Sequence, residues 1–261
     1  MSVSFGSVHA LADVDLEVRT GQLVGLIGPN GAGKTTFIDA VTGFVPARGD
    51  IFLEGVSVSS LPSYDRARRG FVRTWQTIEL FDDLTVRENL AVACKRSTVV
   101  STMAELLRYR STADQGGPEE EALRFLDLQD TANRLPSELS QGRRKLVGIA
   151  RAIVARPQFI LLDEPASGLD TNESVDLGRR LRRIVDDGLA MLLVDHDMGL
   201  VLSICDYIYV LNFGKVIAHG VPDDIRQDPE VLEAYLGTGS TRATDDDDSK
   251  LEGSSEVSAD E

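Results

Sequence analysis

The sequence predicts an α/β fold with a mainly parallel sheet, a small antiparallel β layer and an inserted helical lobe. Continuous apolar runs typical of buried strands alternate with stretches of helical periodicity in both halves of the chain. Two stretches near the start alternate apolar and polar residues one by one, which is typical of half-exposed strands. From residue 85 to 155 the pattern is mainly helical. With 261 residues, 42% of them hydrophobic, the chain can bury one substantial core in a two-lobed body.

The antiparallel layer is predicted from residues 11–18 and 49–58. In both stretches apolar side chains alternate with polar ones, so that one face would be buried and the other exposed. Each stretch is expected to form one strand. The run LVGLIG at 23–28 lies between them and is apolar on both faces, which indicates a buried parallel strand.

The stretch GPNGAGKTT follows that buried strand directly and fulfils the pattern G-x-x-x-x-G-K-[ST]. A helix is predicted next, ending at Gly43. Glycines let backbone N–H groups close around a phosphate, and Lys34 supplies a mobile cation for the β and γ phosphates. Thr35 would give its hydroxyl to Mg²⁺. The predicted nucleotide contacts are Gly28, Pro29, Asn30, Gly31, Ala32, Gly33, Lys34, Thr35 and Thr36.

The inserted lobe is predicted at about residues 86–139. Thr85 is placed as a helix N-cap, and Glu88 three residues later completes a capping box. A second helical stretch at 120–128 has its apolar residues on one face. The composition of 111–118, STADQGGP, is that of a loop.

Polar residues close three predicted core strands. The strand at 70–76 ends in Gln76, and the strand FILLD ends in Asp163 with Glu164 directly after it. His196 follows the strand AMLLVD. Catalytic residues of α/β sheets gather at such carboxyl ends, where an Asp can bind Mg²⁺ and a Glu can polarise a hydrolytic water. Taken alone, Gln76 and His196 also fit ordinary structural roles.

The segment LSQGR at 139–143 predicts a second anion site. Ser140 is placed as the N-cap of an amphipathic helix, so the positive end of the helix dipole would point outward with Ser and Gly exposed. A plain capped helix is the alternative. Further on, the pattern predicts a helix at 172–187, two strands around Phe213-Gly214 and a last helix ended by Gly237.

Charge and composition limit the remaining possibilities. The net charge is −15, of which the stretch 241–261 supplies −6, so the body carries −9 and no nucleic-acid partner is expected. That acidic tail is predicted to be disordered, with a docking role as the alternative. No apolar run approaches 18 residues and no signal segment opens the chain, so a cytoplasmic location is expected. Cys94 and Cys205 are interpreted as reduced packing residues.

From Val3 to Gly237 the chain resembles the ABC transporter ATP-binding subunits. GPNGAGKTT resembles their Walker A motif, LSQGR their signature and FILLDE their Walker B, while SGLD at 167–170 resembles their D-loop. Gln76 stands at their Q-loop position and His196 at their switch histidine. The resemblance implies an ABC ATPase fold on a P-loop NTPase core over 1–240. The signature departs from LSGGQ at Gln141 and Arg143.

The resemblance implies ATP and Mg²⁺ as cofactors and assigns roles to individual residues. Phe5 would stack on adenine, although relatives carry a full strand before this position. Either that strand precedes Met1, or the β layer lacks an edge and the stacking is weaker. The implied catalytic residues are Glu164, His196 and Gln76; the implied Mg²⁺ ligands are Thr35, Gln76 and Asp163; the further nucleotide contacts are Ser140, Gln141, Gly142 and Asp170.

Within the family, four stretches resemble the ATPases of branched-chain (hydrophobic) amino acid uptake; lipopolysaccharide-export and urea-uptake ATPases are similar in the same stretches. This implies an importer subunit, peripheral at the inner face of the membrane, that works with separate permease subunits and a solute-binding protein. A second ATPase, as a homodimer or heterodimer partner, would close head to tail over ATP. A soluble ABC ATPase of translation or repair and a small-molecule kinase are the alternatives, and LSQGR and SGLD argue against the kinase.

Overall fold

The computed structural model describes residues 1–75, 79–94 and 117–236. In these residues a six-stranded sheet has the order β10-β9-β3-β8-β7-β6. β3, β6, β7, β8 and β9 are parallel to one another, and β10 is antiparallel to β9. The predicted α/β fold with a mainly parallel sheet is confirmed. Its strands are β3 (Leu23–Ile27), β6 (Phe71–Arg73), β7 (Phe159–Asp163), β8 (Ala190–Val194), β9 (Tyr207–Asn212) and β10 (Lys215–Gly220).

Helices cover both faces of this sheet. Successive residues of β3 belong to different hydrophobic clusters: Val24 and Leu26 pack with α1, whereas Leu23 and Ile27 pack with the later helices. This two-sided burial explains why the core strands are apolar at every position. The helices are α1 (Lys34–Thr42), α2 (Ser63–Arg68), α3 (Val86–Cys94), α4 (Pro118–Phe125), α5 (Gln141–Val154), α6 (Thr171–Asp186), α7 (Met198–Ile204), α8 (Pro222–Gln227) and α9 (Pro229–Leu236).

The antiparallel layer consists of two small hairpins and differs from the prediction in both of its parts. The first hairpin pairs β1 (Val3–Phe5) with β2 (Val8–Leu11), and the chain at 12–22 is not a strand. Val14 is nevertheless buried, and its N–H donates to the carbonyl of Met1 at 2.9 Å. The alternation at 11–18 therefore predicts correctly which side chains face inward, but residues 12–18 do not pair as a β-strand.

The predicted single strand at 49–58 is a second hairpin, β4 (Phe52–Leu53) with β5 (Val56–Ser57). Glu54 and Gly55 have φ values of 49° and 75°, so the chain reverses in a two-residue turn. The left-handed conformation suits glycine but is uncommon for glutamate. The alternation of apolar and polar residues continues across this turn, so the alternation alone did not show that the chain reverses here.

The predicted helices of the inserted lobe are present in the described residues. Glu88 accepts from the N–H and the hydroxyl of Thr85, both at 2.8 Å, so the predicted capping box is confirmed. The helices α3, α4 and α5 pack on one another, with Leu90 and Leu123 fully buried. Residues 111–116 of the predicted loop lie outside the described residues, and the lobe boundaries of 86–139 remain a prediction.

The structure adds the helices α2, α7 and α8, which the sequence patterns did not predict. The predicted last helix is α9, while Gly237 and the acidic tail at 241–261 lie outside the described residues. In the ranges that are described, no helix is both long and apolar enough to cross a membrane. Cys205 is buried and burial raises the pKa of its thiol, as expected for a packing residue.

Candidate nucleotide-binding site

The phosphate loop connects β3 to α1 at the carboxyl edge of the sheet, as the sequence predicts. Asn30 and Gly31 are exposed at its tip, whereas Ala32 is buried. The N–H of Gly214, in the turn between β9 and β10, donates to the carbonyl of Ala32 at 2.8 Å. The loop is thus supported from the neighbouring strand while its tip remains accessible to a ligand.

Gly28 is required by close packing. A Cβ atom at this position would lie 2.0 Å from the carbonyl oxygen of Leu211 on β9. Gly33 has φ 108°, and a Cβ there would lie 3.0 Å from the carbonyl oxygen of Ala10. The two invariant glycines of the sequence pattern therefore let the loop approach β9 and β2 closely.

Lys34 is folded back into the loop. Its Nζ donates to the carbonyl oxygens of Gly28 at 2.6 Å and Pro29 at 3.1 Å, and the residue is buried. Burial lowers the pKa of the Lys34 ammonium, while Glu164 and Asp195 act in the opposite direction. A cation held at the first turn of a helix, among exposed backbone N–H groups, is the arrangement that binds a triphosphate.

The carboxylate of Asp163 at the end of β7 lies against Arg73 of β6. One guanidinium nitrogen of Arg73 donates to Asp163 Oδ2 at 2.8 Å, and the other donates to Asp39 Oδ1 on α1 at 2.6 Å. Arg73 also lies over the ring of Trp75, 4.0 Å from its centroid. No local sequence pattern identifies Arg73, because its partners are 34 and 90 residues away.

Glu164 and His196, from the ends of β7 and β8, converge at the same edge. His196 Nδ1 lies 3.9 Å from Glu164 Oε1, which is longer than a hydrogen bond. Glu164 has φ 46°, a left-handed conformation that is unusual for a side chain of this size. Strained residues of this kind cluster at functional sites.

The buried carboxylate of Asp195 connects the loops that follow β7 and β8. It accepts from the N–H of Ala166 at 3.2 Å and from the N–H of Asp197 at 3.0 Å. Its Oδ1 lies 3.6 Å from His196 Nδ1. Asp195 was not among the predicted site residues, although a carboxylate at the end of a core strand is the signal that identified Asp163.

Ser140 caps α5, as predicted. Its hydroxyl oxygen accepts from the N–H of Arg143 at 3.4 Å, and Ser140 and Gln141 are exposed. Gly142 is instead buried, which corrects the expectation of an exposed Ser and Gly pair. A Cβ atom on Gly142 would lie 2.8 Å from Glu173 Oε1, so the glycine lets α5 approach the start of α6.

Asp170 of the SGLD stretch caps α6. Its Oδ1 accepts from the N–H of Glu173 at 2.8 Å, and Glu173 Oε2 accepts from the N–H of Asp170 at 3.2 Å. Glu173 therefore contacts both the LSQGR and SGLD segments, and sequence reasoning missed it. The S/T/D-x-x-E capping-box signal was present at 170–173.

Lys145 joins α5 to the segment after Glu164. Its Nζ donates to the carbonyls of Pro165, at 3.0 Å, and Ser167. Burial lowers the pKa of this ammonium, while Asp195 and Glu164 oppose the shift. The carboxylate of Glu164 thus lies in the field of two buried cations, Lys34 and Lys145.

A cleft of about 850 Å³ brings several of these residues together. Thr35, Asp163 and Glu164 line it, as do Arg73 and Lys145. A cluster of three or more His, Cys, Asp and Glu able to hold a metal does not occur in the described parts of the chain. The oxygen donors that line the cleft, Thr35 and Asp163, fit Mg²⁺, which is held by one or two protein oxygens together with waters and substrate phosphates.

Phe5 and Ser140 are among the predicted contacts that do not line this cleft. Gln76 lies outside the described residues. Phe5, on β1, is about half exposed. Ser140 is exposed at the N-terminus of α5. Conversely, Tyr235 of α9 interacts with the backbone of Gly28, and burial raises the pKa of this tyrosine to about 12.

A phosphate loop between a core strand and a helix, with an Asp-Glu pair at the end of another core strand, defines a P-loop nucleoside triphosphatase. The ABC transporter family matches residues 11–167. The chain therefore belongs to the ABC transporter family, and it is an ATP-binding, ATP-hydrolysing subunit. A second family, described as branched-chain amino acid ATP-binding cassette transporter, matches residues 215–241.

Individual relatives cover nearly the whole chain. It is 39% identical over 246 residues, 91% of this chain and 95% of the relative, to the high-affinity branched-chain amino acid transport ATP-binding protein BraF of Pseudomonas aeruginosa. It is 38% identical over 230 residues, 88% of this chain and 91% of the relative, to the lipopolysaccharide export system ATP-binding protein LptB of Escherichia coli K12. The ADP conformation of MJ1267, an ATP-binding cassette of an ABC transporter, superposes with a TM-score of 0.76 at 30% identity, covering 90% and 96% of the two chains.

Proposed function

We propose that this chain is the ATPase subunit that energises an importer of branched-chain or other hydrophobic amino acids. The match of the branched-chain cassette family to residues 215–241 favours this substrate class over lipopolysaccharide. BraF is also similar over a larger share of the chain than LptB, 91% against 88%. The subunit would act at the inner face of the membrane, bound to permease subunits that form the transport path, with a solute-binding protein delivering the substrate.

The observation that carries the ATPase chemistry is the cleft shared by Thr35, Asp163 and Glu164. Lys34 and the loop N–H groups would bind the β and γ phosphates, and Phe5 would stack on the adenine. Mg²⁺, where bound, would neutralise developing phosphate charge, with Thr35, Asp163 and Gln76 as its protein oxygens. The other residues of the loop would contact phosphates: Gly28, Pro29, Asn30, Gly31, Ala32, Gly33 and Thr36.

Glu164 is proposed as the general base. Its carboxylate lies at the end of β7, beside the phosphate loop. Glu164 Oε1 lies 3.9 Å from His196 Nδ1, so the two side chains are neighbours in the site. The buried ammonium groups of Lys34 and Lys145 act on this carboxylate as nearby opposite charges. His196 and Gln76 would orient the γ-phosphate and the attacking water.

Ser140, Gln141, Gly142 and Asp170 are proposed to contact ATP bound to a second ATPase subunit. Ser140 and Gln141 are exposed at a helix N-terminus, where backbone N–H groups and the dipole favour an anion. Gly142 has no side chain and would contribute through its backbone. Glu173 lies close to its α-carbon. Asp170 would contact this ATP from the N-terminus of α6, which it caps.

An uptake experiment tests the transport role. A strain lacking this subunit is complemented with the wild-type gene or with Glu164→Gln, and the uptake of labelled leucine, valine, urea and a polar amino acid is measured. We expect wild type to restore only leucine and valine uptake and the variant to restore none. Restoration of urea uptake, or full leucine uptake with the variant, would contradict the proposal.

A further inference from the structure

Arg73 joins two structural elements through one buried guanidinium group. Its side chain is 8% exposed, and its two terminal nitrogens bind Asp39 and Asp163 at 2.6 Å and 2.8 Å. Asp39 is on α1, and Asp163 ends β7. We call this arrangement of Arg73, Asp39 and Asp163 the guanidinium clamp.

The clamp connects the elements that carry two of the proposed Mg²⁺ ligands. Asp39 lies four residues after Thr35, about one helical turn along α1. Asp163 is itself the second proposed ligand. Because the planar fork of an arginine fixes both carboxylates at once, it sets the position of α1 relative to the end of β7. It therefore also sets how far Thr35 lies from Asp163.

The geometry of the clamp favours orientation of the carboxylate over simple charge balance. Arg73 engages Oδ2 of Asp163, which holds the carboxylate in one rotation. Its Nε is buried and, among the residues that the structure describes, lacks a hydrogen-bond acceptor. The two terminal nitrogens thus meet the two carboxylates, whereas the Nε–H is left without an acceptor among the described residues.

We propose that Arg73 is a positioning residue for Mg²⁺. Arg73 holds Thr35 and Asp163 at the separation that the hydrated ion requires. This inference rests on the proposed function. Groups that orient metal ligands in this way commonly change metal affinity or activity by about 10- to 100-fold when altered. A purely structural ion pair would change the thermal stability of the fold and leave the Mg²⁺ requirement unchanged.

Trp75 provides a direct reporter of the clamp. It is the only tryptophan in the chain. Its ring lies 4.0 Å from Arg73 Cζ and packs edge-on against Phe44. Because the indole contacts the guanidinium, its emission should respond when Mg²⁺ changes the charge at Asp163.

The experiment titrates the full-length chain with Mg²⁺ in the presence of excess ADP, which is not consumed, and records tryptophan emission. The variants are Arg73→Lys, Asp39→Asn and the double variant. Arg73→Lys keeps the charge, but a single ammonium cannot hold both carboxylates in the arginine geometry. Arg68→Lys, at an exposed arginine of α2, is the matched control. ATP hydrolysis against free Mg²⁺ and thermal unfolding are measured on the same proteins.

We expect Arg73→Lys to raise the half-saturating Mg²⁺ concentration by about tenfold or more, in emission and in hydrolysis. The affinity of Arg73→Lys for ADP without Mg²⁺ should stay within about twofold of wild type, because the clamp acts on the proposed Mg²⁺ ligands. Arg68→Lys should match wild type in every measurement, because Arg68 pairs with Asp65 and not with the clamp. Asp39→Asn should shift the Mg²⁺ requirement in the same direction. The double variant should shift it by less than the sum of the single variants, because both act through one clamp.

An unchanged Mg²⁺ requirement in Arg73→Lys, with wild type still hydrolysing ATP, would overturn this inference alone. Equal losses of ADP affinity with and without Mg²⁺ would overturn the inference as well, since they would indicate a general structural role for Arg73. Additive effects of Arg73→Lys and Asp39→Asn would show that the two residues do not act as one clamp. Failure of the wild-type chain to hydrolyse ATP at any Mg²⁺ concentration, even with its partner ATPase and permease subunits present, would instead overturn the proposed function.

Discussion

Two helix N-termini in this protein are anion sites by sequence, and the chain builds them differently. At α1, Lys34 is buried and donates to two loop carbonyls, and the turn after β9 supports the loop through Ala32. At α5, Ser140 makes a local cap and faces outward. The first site is supported by contacts from distant strands, whereas the second is supported by the start of the neighbouring helix α6.

This difference indicates where each site obtains its ligand. The carboxylates of Asp163 and Glu164 line the same cleft as Thr35, next to the first site. At the second site, Glu173 lies against Gly142, so the starts of α5 and α6, capped by Ser140 and Asp170, lie next to each other. A supported but open N-terminus suits an anion delivered by another subunit.

Loss of the proposed base at the first site should have the largest effect. Glu164→Gln keeps the size of the side chain but removes the proton acceptor, so hydrolysis should fall by about 10²- to 10⁴-fold. ATP binding should be kept because the phosphate loop is unchanged. Steady-state hydrolysis and binding of a fluorescent ATP analogue measure the two quantities. Glu230→Gln, at an exposed position of α9, is the control; normal turnover in Glu164→Gln would exclude this residue as the base.

Blocking the second site should separate binding from hydrolysis. Ser140→Arg places a long side chain over the N-terminus of α5, so hydrolysis should fall by about 10²- to 10³-fold, as when donors to a developing anion are lost. ATP affinity of the isolated chain should not change, because the first site is intact. Hydrolysis that survives at the wild-type rate would show that α5 does not contact nucleotide.

Mixing subunits makes this comparison sharper. Lys34→Ala should lose ATP binding at the first site, and Ser140→Arg should disable the second. If ATP lies between two copies of this chain, a mixture of the two inactive variants contains pairs with one intact composite site, so part of the hydrolysis should return. A mixture that stays as inactive as its components would mean that the second site is not supplied by another copy.

The same contrast explains how much the sequence could predict. The place of the phosphate loop between β3 and α1 was predicted, because its determinants, from Gly28 to Lys34, are consecutive in the chain. The caps at Thr85 and Ser140 were also predicted, since capping depends on residues three apart. Local chemistry of this kind can be read without the fold.

Contacts that span the chain could not be predicted in this way. Arg73 binds carboxylates 34 and 90 residues away, and Asp195 accepts from a residue 29 away. An arginine near the end of a strand gives no local sign of which carboxylate it will meet. The burial of Gly142 was missed for the same reason, because only the packing of α6 on α5 places Glu173 beside it.

The phosphate loop should also be the more sensitive of the two regions to a small change in volume. Gly28→Ala would place a methyl group 2.0 Å from the carbonyl of Leu211, so the loop or β9 must move. Overpacking of this kind costs about 1 to 3 kcal/mol of unfolding free energy, to which the unfavourable φ of 154° adds. Denaturant unfolding measures the change, and ATP binding should weaken with it.

Gly31→Ala is the matched control for that variant. Gly31 lies in the same loop and has φ 80°, but a Cβ atom there would meet no atom within 4 Å. Its stability loss should be confined to backbone strain, about 1 kcal/mol. Equal losses in the two variants would show that the close approach of the loop to β9 is not what requires glycine at position 28.

The support behind the second site should give the smallest effect. Glu173→Ala removes one half of the capping box with Asp170, so the free energy of unfolding should fall by about 1 kcal/mol. The contact behind Gly142 is lost as well, which would let the N-terminus of α5 shift relative to α6. Hydrolysis by the paired subunits should therefore decrease while ATP binding by the isolated chain is kept. If hydrolysis is unchanged at the lower stability, the cap serves only α6 and does not position the residues that face the second subunit.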